Sequence, residues 1–238
     1  MLPDGTIAAT RLWKRFHSDR RHSQMRHRVQ QLTHRSQAGS AKWRWALRDV
    51  DFSAQPGESI GLFGPNGSGK STLLKILSRV MVPDAGSLEI SGRVGALIEV
   101  ASGIHPQLSG RENVFLYGSL LGLSRRDVAR RFDAIVDFAE LEAAVDRQVK
   151  FYSSGMKMRL GFAVAAFLDP DVLLVDEVLA VGDTSFQQKC LDRIQAVLEQ
   201  GTTIVFVSHD LAAVQAACSR GVWLQDGVVI SRGRSKRP

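Results

Sequence analysis

The residues best equipped for chemistry are Gly64-Pro65-Asn66-Gly67-Ser68-Gly69-Lys70-Ser71, a complete GxxxxGK[ST] pattern between the apolar run Ser59 to Phe63 and a helical pattern that begins at Ser71. The glycines let backbone N–H groups converge on phosphate oxygens, since side chains would obstruct the approach and some dihedrals are cheap only for glycine. Lys70 adds charge between the β- and γ-phosphates, the Ser71 hydroxyl can ligate Mg²⁺, and the binding stretch runs on to Thr72. No acid occurs between Glu58 and Asp84, so nothing nearby competes for the positive end of the helix. A glycine-rich turn without nucleotide is the alternative explanation.

The second fragment is Val172-Leu173-Leu174-Val175-Asp176-Glu177, four apolar residues followed by two carboxylates at a strand end. This has the form of a Walker B strand: Asp176 would hold Mg²⁺, usually through water, and Glu177 would face the attacking water as general base. Surface turns also carry paired acids. It is the company of the phosphate loop that makes this pair an ATP-Mg hydrolysis site.

These side chains need a rigid frame, and the sequence supplies one. Ser59 to Phe63, Val172 to Val175 and Thr203 to Val207 are apolar without alternation, as expected for strands covered by helices on both faces. Helical patterns fall between them, over Ser71 to Arg79, Gly110 to Leu121, Arg125 to Ala144, Met156 to Phe167 and Phe186 to Gln200. The alternation gives an α/β class with a mainly parallel sheet. Within the third helix Val128, Phe132, Ile135, Val136 and Ala139 form one apolar stripe. Ser109 with Glu112 and Ser124 with Asp127 look like capping boxes. Val222 to Gln225 and Val228 to Ile230 flank Asp226-Gly227, a two-residue hairpin signal.

The chain has 238 residues, 44% hydrophobic and 23% charged, which suits a globular body and excludes whole-chain disorder. No run reaches the ~18 apolar residues of a membrane span, and the N-terminus lacks an apolar leader; a cytosolic chain is expected. Cys190 and Cys218 lie far apart and form no metal or disulfide pattern, so packed reduced thiols are expected. The net charge of +7 is uneven, because residues 1 to 48 hold 11 Lys/Arg against 2 Asp/Glu. Residues 17 to 41, which carry four of the six histidines, read as a basic insertion or flexible arm. It is either a solvated loop or a contact for anionic lipid headgroups or nucleic acid.

Many kinases, GTPases and motors share the phosphate loop, and residues elsewhere discriminate among them. Tyr152-Ser153-Ser154-Gly155-Met156, ahead of an apolar helix, resembles the LSGGQ signature of ATP-binding cassette (ABC) proteins, with Ser153 and Gly155 matching its Ser and second Gly. Its helix start carries no acid of its own, leaving N–H groups and a hydroxyl for an anion. Ala180-Val181-Gly182-Asp183 stands where that family has its D-loop, and Ser208-His209-Asp210 where it has its switch histidine. The resemblance covers about residues 44 to 231. It implies a P-loop NTPase ABC cassette: a RecA-like parallel-sheet core, an antiparallel β part, an inserted helical subdomain at about 105–158 and a C-terminal hairpin and tail at 221–238, all one nucleotide-binding domain. It also implies that His209 contacts the γ-phosphate and that Asp183 couples two halves of a dimer.

The usual Q-loop glutamine is missing, and Glu99 or Val100 occupies its position, so that Glu99 could take its place on the metal but could not donate a hydrogen bond. Glu99-x-x-x-Gly-Ile-His-Pro, Gly110-Arg-Glu-Asn113 and Asp176-Glu-Val-Leu-Ala-Val-Gly-Asp183 look like the cassettes that export O-antigen, capsule and teichoic acid. That resemblance implies an ATP-hydrolysing subunit, with ATP and Mg²⁺, paired as a homodimer in which each cradle faces Ser153 and Gly155 of the other copy. A separate integral-membrane permease would receive the motion around residues 99 to 123, at the cytoplasmic face of the inner membrane. The adenine would stack on Phe16, at the end of a first strand, with Trp13, Trp43 and Trp45 as rivals. A soluble ABC ATPase acting on ribosomes or nucleic acid is the alternative; such proteins commonly have tandem cassettes or long coiled-coil insertions, which this sequence lacks.

Overall fold

The computed structural model describes residues 2–17, 43–97, 103–167, 169–176, 184–207 and 218–234. The arm beyond His17, together with Glu99, Glu177, Asp183 and His209, lies outside the described residues.

Strands β1 (Ile7–His17), β2 (Trp43–Ala54) and β4 (Ala85–Ile90) form an antiparallel sheet with β1 in the middle. A second sheet holds β3 (Ser59–Phe63), β5 (Val94–Leu97), β6 (Val172–Val175), β7 (Thr203–Val207), β8 (Arg220–Gln225) and β9 (Val228–Arg234) in the order β5-β6-β7-β3-β8-β9. All its neighbours pair in parallel except β8 and β9. The turn between those two strands places Asp226 at φ 50° and Gly227 at φ 77°, the paired positive dihedrals that an Asp-Gly hairpin turn needs.

The uninterrupted apolar runs follow from two covered faces. Ile60, Leu62, Val172, Leu174, Val205 and Val207 pack with α1 (Lys70–Leu77) and the antiparallel sheet. Leu173, Val175, Ile204 and Phe206 pack on the other side with α4 (Ser154–Ala166) and α5 (Thr184–Glu199). Each such side chain contributes about 1.5–3 kcal/mol on burial, so none of these apolar positions can turn polar cheaply.

The helical part is α2 (Gly110–Leu120), α3 (Arg125–Ala139) and α4, packed on one another. Ser109 and Glu112 make both halves of a capping box, and the Ser109 backbone N–H holds the Glu112 carboxyl below its usual range. Ser124 caps α3 by accepting from the Asp127 N–H, and the buried face of α3 is the stripe Val128, Phe132, Ile135, Val136 and Ala139. The helix stops at Ala139, not at Ala144 as its periodicity predicts. Glu140 takes a left-handed φ of 57°, and its carboxylate pairs with Arg159 and Lys189, partners no local pattern reveals.

The chain then returns along the loop before α2. Val149 N–H donates to Leu108 O (2.9 Å), Lys150 N–H to Pro106 O (2.7 Å) and Gly110 N–H to Arg147 O (3.1 Å). Buried Asn113 fastens the same loop, accepting from the His105 N–H at 2.6 Å and donating to the carbonyls of His105 and Ser109.

Candidate functional site

The phosphate loop joins the end of β3 to α1. Gly64, Gly67 and Gly69 have φ of 145°, 77° and 108°, so each sits where an L side chain is strained. Two of them also admit a close backbone approach. A Cβ on Gly64 would lie 1.9 Å from Leu224 O of β8, and one on Gly69 would lie 2.4 Å from Ala46 O of β2. Lys70, 6% exposed, folds back and donates through Nζ to Gly64 O (2.8 Å) and Pro65 O (3.1 Å). Ser68 is buried, and among the described residues its hydroxyl has no hydrogen-bond partner. Helix α1 has no acid in its first turn and no side-chain cap on its N-terminus. The loop is thus a shaped, positively biased cradle suited to an anion.

The β8–β9 hairpin closes this cradle from behind. Gly227 N–H donates to Ser68 O at 3.0 Å, Arg48 N–H donates to Gly227 O at 2.7 Å, and the Arg48 guanidinium donates to Asp226 O at 2.8 Å. The loop therefore depends on residues distant in sequence, which its own motif does not disclose.

Asp176 follows the last residue of β6. Since Val175 pairs with Phe206 and Leu62 with Val207, Asp176 is level with Val207 and Leu62, two strands from β3 on the edge where the phosphate loop begins. Strands about 4.8 Å apart put its backbone roughly 10 Å from β3, a span that a carboxylate and bound water can bridge. Ser71 and Asp176 are hard oxygen donors of the kind Mg²⁺ takes.

Ser153 is the N-cap of α4, accepting from the Met156 N–H at 3.1 Å, and the helix has no acid in its first turn. It starts at Ser154, two residues before the periodicity predicts. Tyr152 fixes this start, with its hydroxyl donating to Ala144 O at 2.6 Å. Burial pushes that phenol up from its ordinary value, which keeps it a donor. Gly155 is different from the loop glycines. Among the described residues a Cβ there would meet only Ser153 Oγ, at 3.7 Å, so packing among them does not require glycine.

A cavity of about 530 Å³ opens over the loop, lined by Phe16, Arg44, Ala46, Asn66, Gly67, Gly69, Lys70, Ser71 and Thr72. Of the four aromatic candidates on β1 and β2, Phe16 lines it. Trp43 and Trp45 instead flank Arg15, whose guanidinium carbon lies 4.5 and 5.5 Å from their rings, and Trp13 meets Trp45 edge-on at 5.2 Å. A bulge makes the separation. The register runs Lys14↔Leu47 and then Arg15↔Trp45, which leaves Ala46 as an extra residue and sets Phe16 opposite Arg44. Sequence reasoning missed Arg44, because no local pattern announces the bulge. Gly64, Pro65 and Ser68 shape the loop beneath the cavity, and Ser153 and Gly155 are not among its lining residues.

Known proteins agree with this layout. The sequence profile of the ABC transporter family matches residues 47–180. The O-antigen export system ATP-binding protein RfbB of Klebsiella pneumoniae is 43% identical over 192 residues, covering 81% of this chain and 78% of that protein. RfbB of Myxococcus xanthus is 43% identical over 85% of this chain but only 46% of its own length. The teichoic acids export ATP-binding protein TagH of Bacillus anthracis is 41% identical over 88% of this chain and 38% of its own. This chain thus spans about half the length, or less, of those last two relatives. Among solved structures, an ATP-binding cassette captured as a post-hydrolysis dimer with ADP and Pi superposes with a TM-score of 0.77 at 21% identity, over 98% of this chain and 100% of that one. With the fold of a cassette, a family profile across its phosphate loop and a relative matched over most of both lengths, the chain belongs to the ABC transporter family.

Proposed function

We propose that this chain is the ATP-hydrolysing subunit of an exporter of cell-envelope polysaccharide or lipid-linked glycan, working as a homodimer beneath a separate membrane permease. The observation that carries the nucleotide part is the single cavity that unites an exposed aromatic, Phe16, with the glycine cradle and Lys70. The cargo class rests on the relatives named for O-antigen and teichoic acid export.

In this reading adenine stacks on Phe16, the backbone N–H groups of Gly67 to Thr72 and Lys70 hold the phosphate chain, and Ser71 and Asp176 hold Mg²⁺. The metal would screen the charge of the β- and γ-phosphates. Glu177 takes the proton of the attacking water, and His209 contacts the γ-phosphate. Ser153 and the free N–H groups of α4 from the second copy, beside Gly155, complete the pocket, so triphosphate joins the two copies and its cleavage releases them. Asp183 couples the two halves, and Glu99 takes the missing glutamine's place. The loop at 105–111 and the segment leading to Ser153 are stitched together, so a permease seated on the first displaces the second.

Gly155→Ala separates site from scaffold. Alanine fits the space and favours helix by about 1 kcal/mol, so urea denaturation should show equal or higher stability. ATP turnover should fall about 10²-fold, as expected when a reacting group is displaced by roughly 1 Å. Full turnover in this variant would remove Gly155 from the site. The proposal as a whole is tested by purification from native membranes: an integral membrane protein should co-purify and raise the ATPase rate. Salt-sensitive retention of RNA or DNA without a membrane protein would favour the ribosome or nucleic-acid reading instead.

A further inference from the structure

We propose that Arg44 is a nucleotide-binding residue that closes on the phosphate chain from β2, a strand with no nucleotide motif. The inference rests on the reading that the cavity over the loop takes ATP. Phe16 and Arg44 are direct register partners, and side chains of such a pair leave the ribbon on the same face. Both line the cavity. The Arg44 Nη2 atom lies 3.5 Å from the place a Cβ would take on Gly67, and among the described residues beyond Gly67 and its two chain neighbours it is the one atom within 4 Å of that point. The guanidinium therefore lies directly against the middle of the phosphate loop.

The other cations nearby are occupied. Arg15 is held by Trp43 and Trp45, Arg48 donates to Asp226 O, Lys14 pairs with Asp84 at 3.0 Å, and Lys70 donates to Gly64 and Pro65 carbonyls. Among the described residues the Arg44 side chain has no hydrogen bond, ion pair or ring contact. A guanidinium carries five donors in a planar fork that matches phosphate oxygens two at a time. Set against a loop of inward-facing N–H groups, it adds to a field that only an anion satisfies. Phe16 offers its flat face to a base, and Arg44 offers charge one strand across, so the pair can hold opposite ends of one nucleotide. The Ala46 bulge is what makes this arrangement, because without it the register would set Trp45 opposite Phe16.

Titration calorimetry with ATP and ADP, at KCl concentrations from low to high, tests the assignment on the wild type, Arg44→Ala, Arg44→Lys and Phe16→Ala. One lost charge-assisted contact should raise both dissociation constants about tenfold or more in Arg44→Ala. Arg44→Lys should recover part of the loss, and the affinity of Arg44→Ala should depend less on salt than that of the wild type. Phe16→Ala should weaken binding while keeping the salt dependence. Wild-type affinity in Arg44→Ala would overturn the inference. A loss that lysine does not relieve, with the salt dependence of the wild type, would make Arg44 a packing or base contact and overturn the phosphate assignment. If the wild type itself bound neither nucleotide, the reading of the cavity beneath would fail, whatever Arg44 does.

Discussion

Glu177→Gln should retain ATP binding and slow hydrolysis by about 10²- to 10⁴-fold, the usual loss when a general base is removed. That range corresponds to about 3–5 kcal/mol in the barrier. The amide keeps the size of the side chain but cannot accept the water's proton. Its neighbour Asp176, which follows β6 on the phosphate-loop edge, is left unchanged, so under the proposed metal assignment the defect falls on chemistry. With ATP bound and uncleaved, the two copies should remain joined. Light scattering with ATP and Mg²⁺ should therefore report a dimer for the variant and a mixture for the wild type. Normal turnover would remove Glu177 as the base. A variant that stayed monomeric at high concentration, with and without its membrane partner, would overturn the shared-pocket arrangement.

Gly64→Ala should abolish nucleotide binding by a different route. The new methyl would sit 1.9 Å from Leu224 O and 2.8 Å from Ser68 Oγ, and the first of these belongs to the backbone of a paired strand. The Ser68 hydroxyl can rotate away, but the Leu224 carbonyl cannot. Overpacking costs about 1–3 kcal/mol and a non-glycine residue in this dihedral region about 1–3 more. A loss of about 2–6 kcal/mol is a large share of the 5–15 kcal/mol that holds a typical domain together. Urea denaturation should show the midpoint falling, and calorimetry should show no ATP binding in the folded fraction. An unchanged midpoint with normal binding would mean that β8 does not press on the loop as described. The contrast with Gly155, where among the described residues a methyl meets only an ordinary contact with Ser153 Oγ, separates a glycine kept by packing from one kept for a visitor.

Much of the frame was legible because it depends on local periodicity. The three unbroken apolar runs became β3, β6 and β7 with their bounds unchanged, and the apolar stripe of α3 is its buried face. The capping residues Ser109, Ser124 and Ser153 all mark helix starts. What escaped depends on distant partners. Glu140 ends α3 early because Arg159 and Lys189 hold it, and Arg44 reaches the cavity because an extra residue in β2 reverses which side chains face it. The phosphate loop could be named from eight residues, but its support from Ala46, Leu224 and Gly227 could not.

That support fixes when the protein can become competent during translation. Strand β3, at residues 59–63, is flanked on both sides by strands made after residue 202, and the turn that braces Ser68 follows later still. Until those strands emerge the nascent chain therefore carries a central strand with two bare edges and a cradle without its wall. Nucleotide can stabilise the cradle only once the β8–β9 hairpin has emerged, which makes residues 220–234 the step at which quality control can distinguish a competent nucleotide-binding fold from an incomplete one.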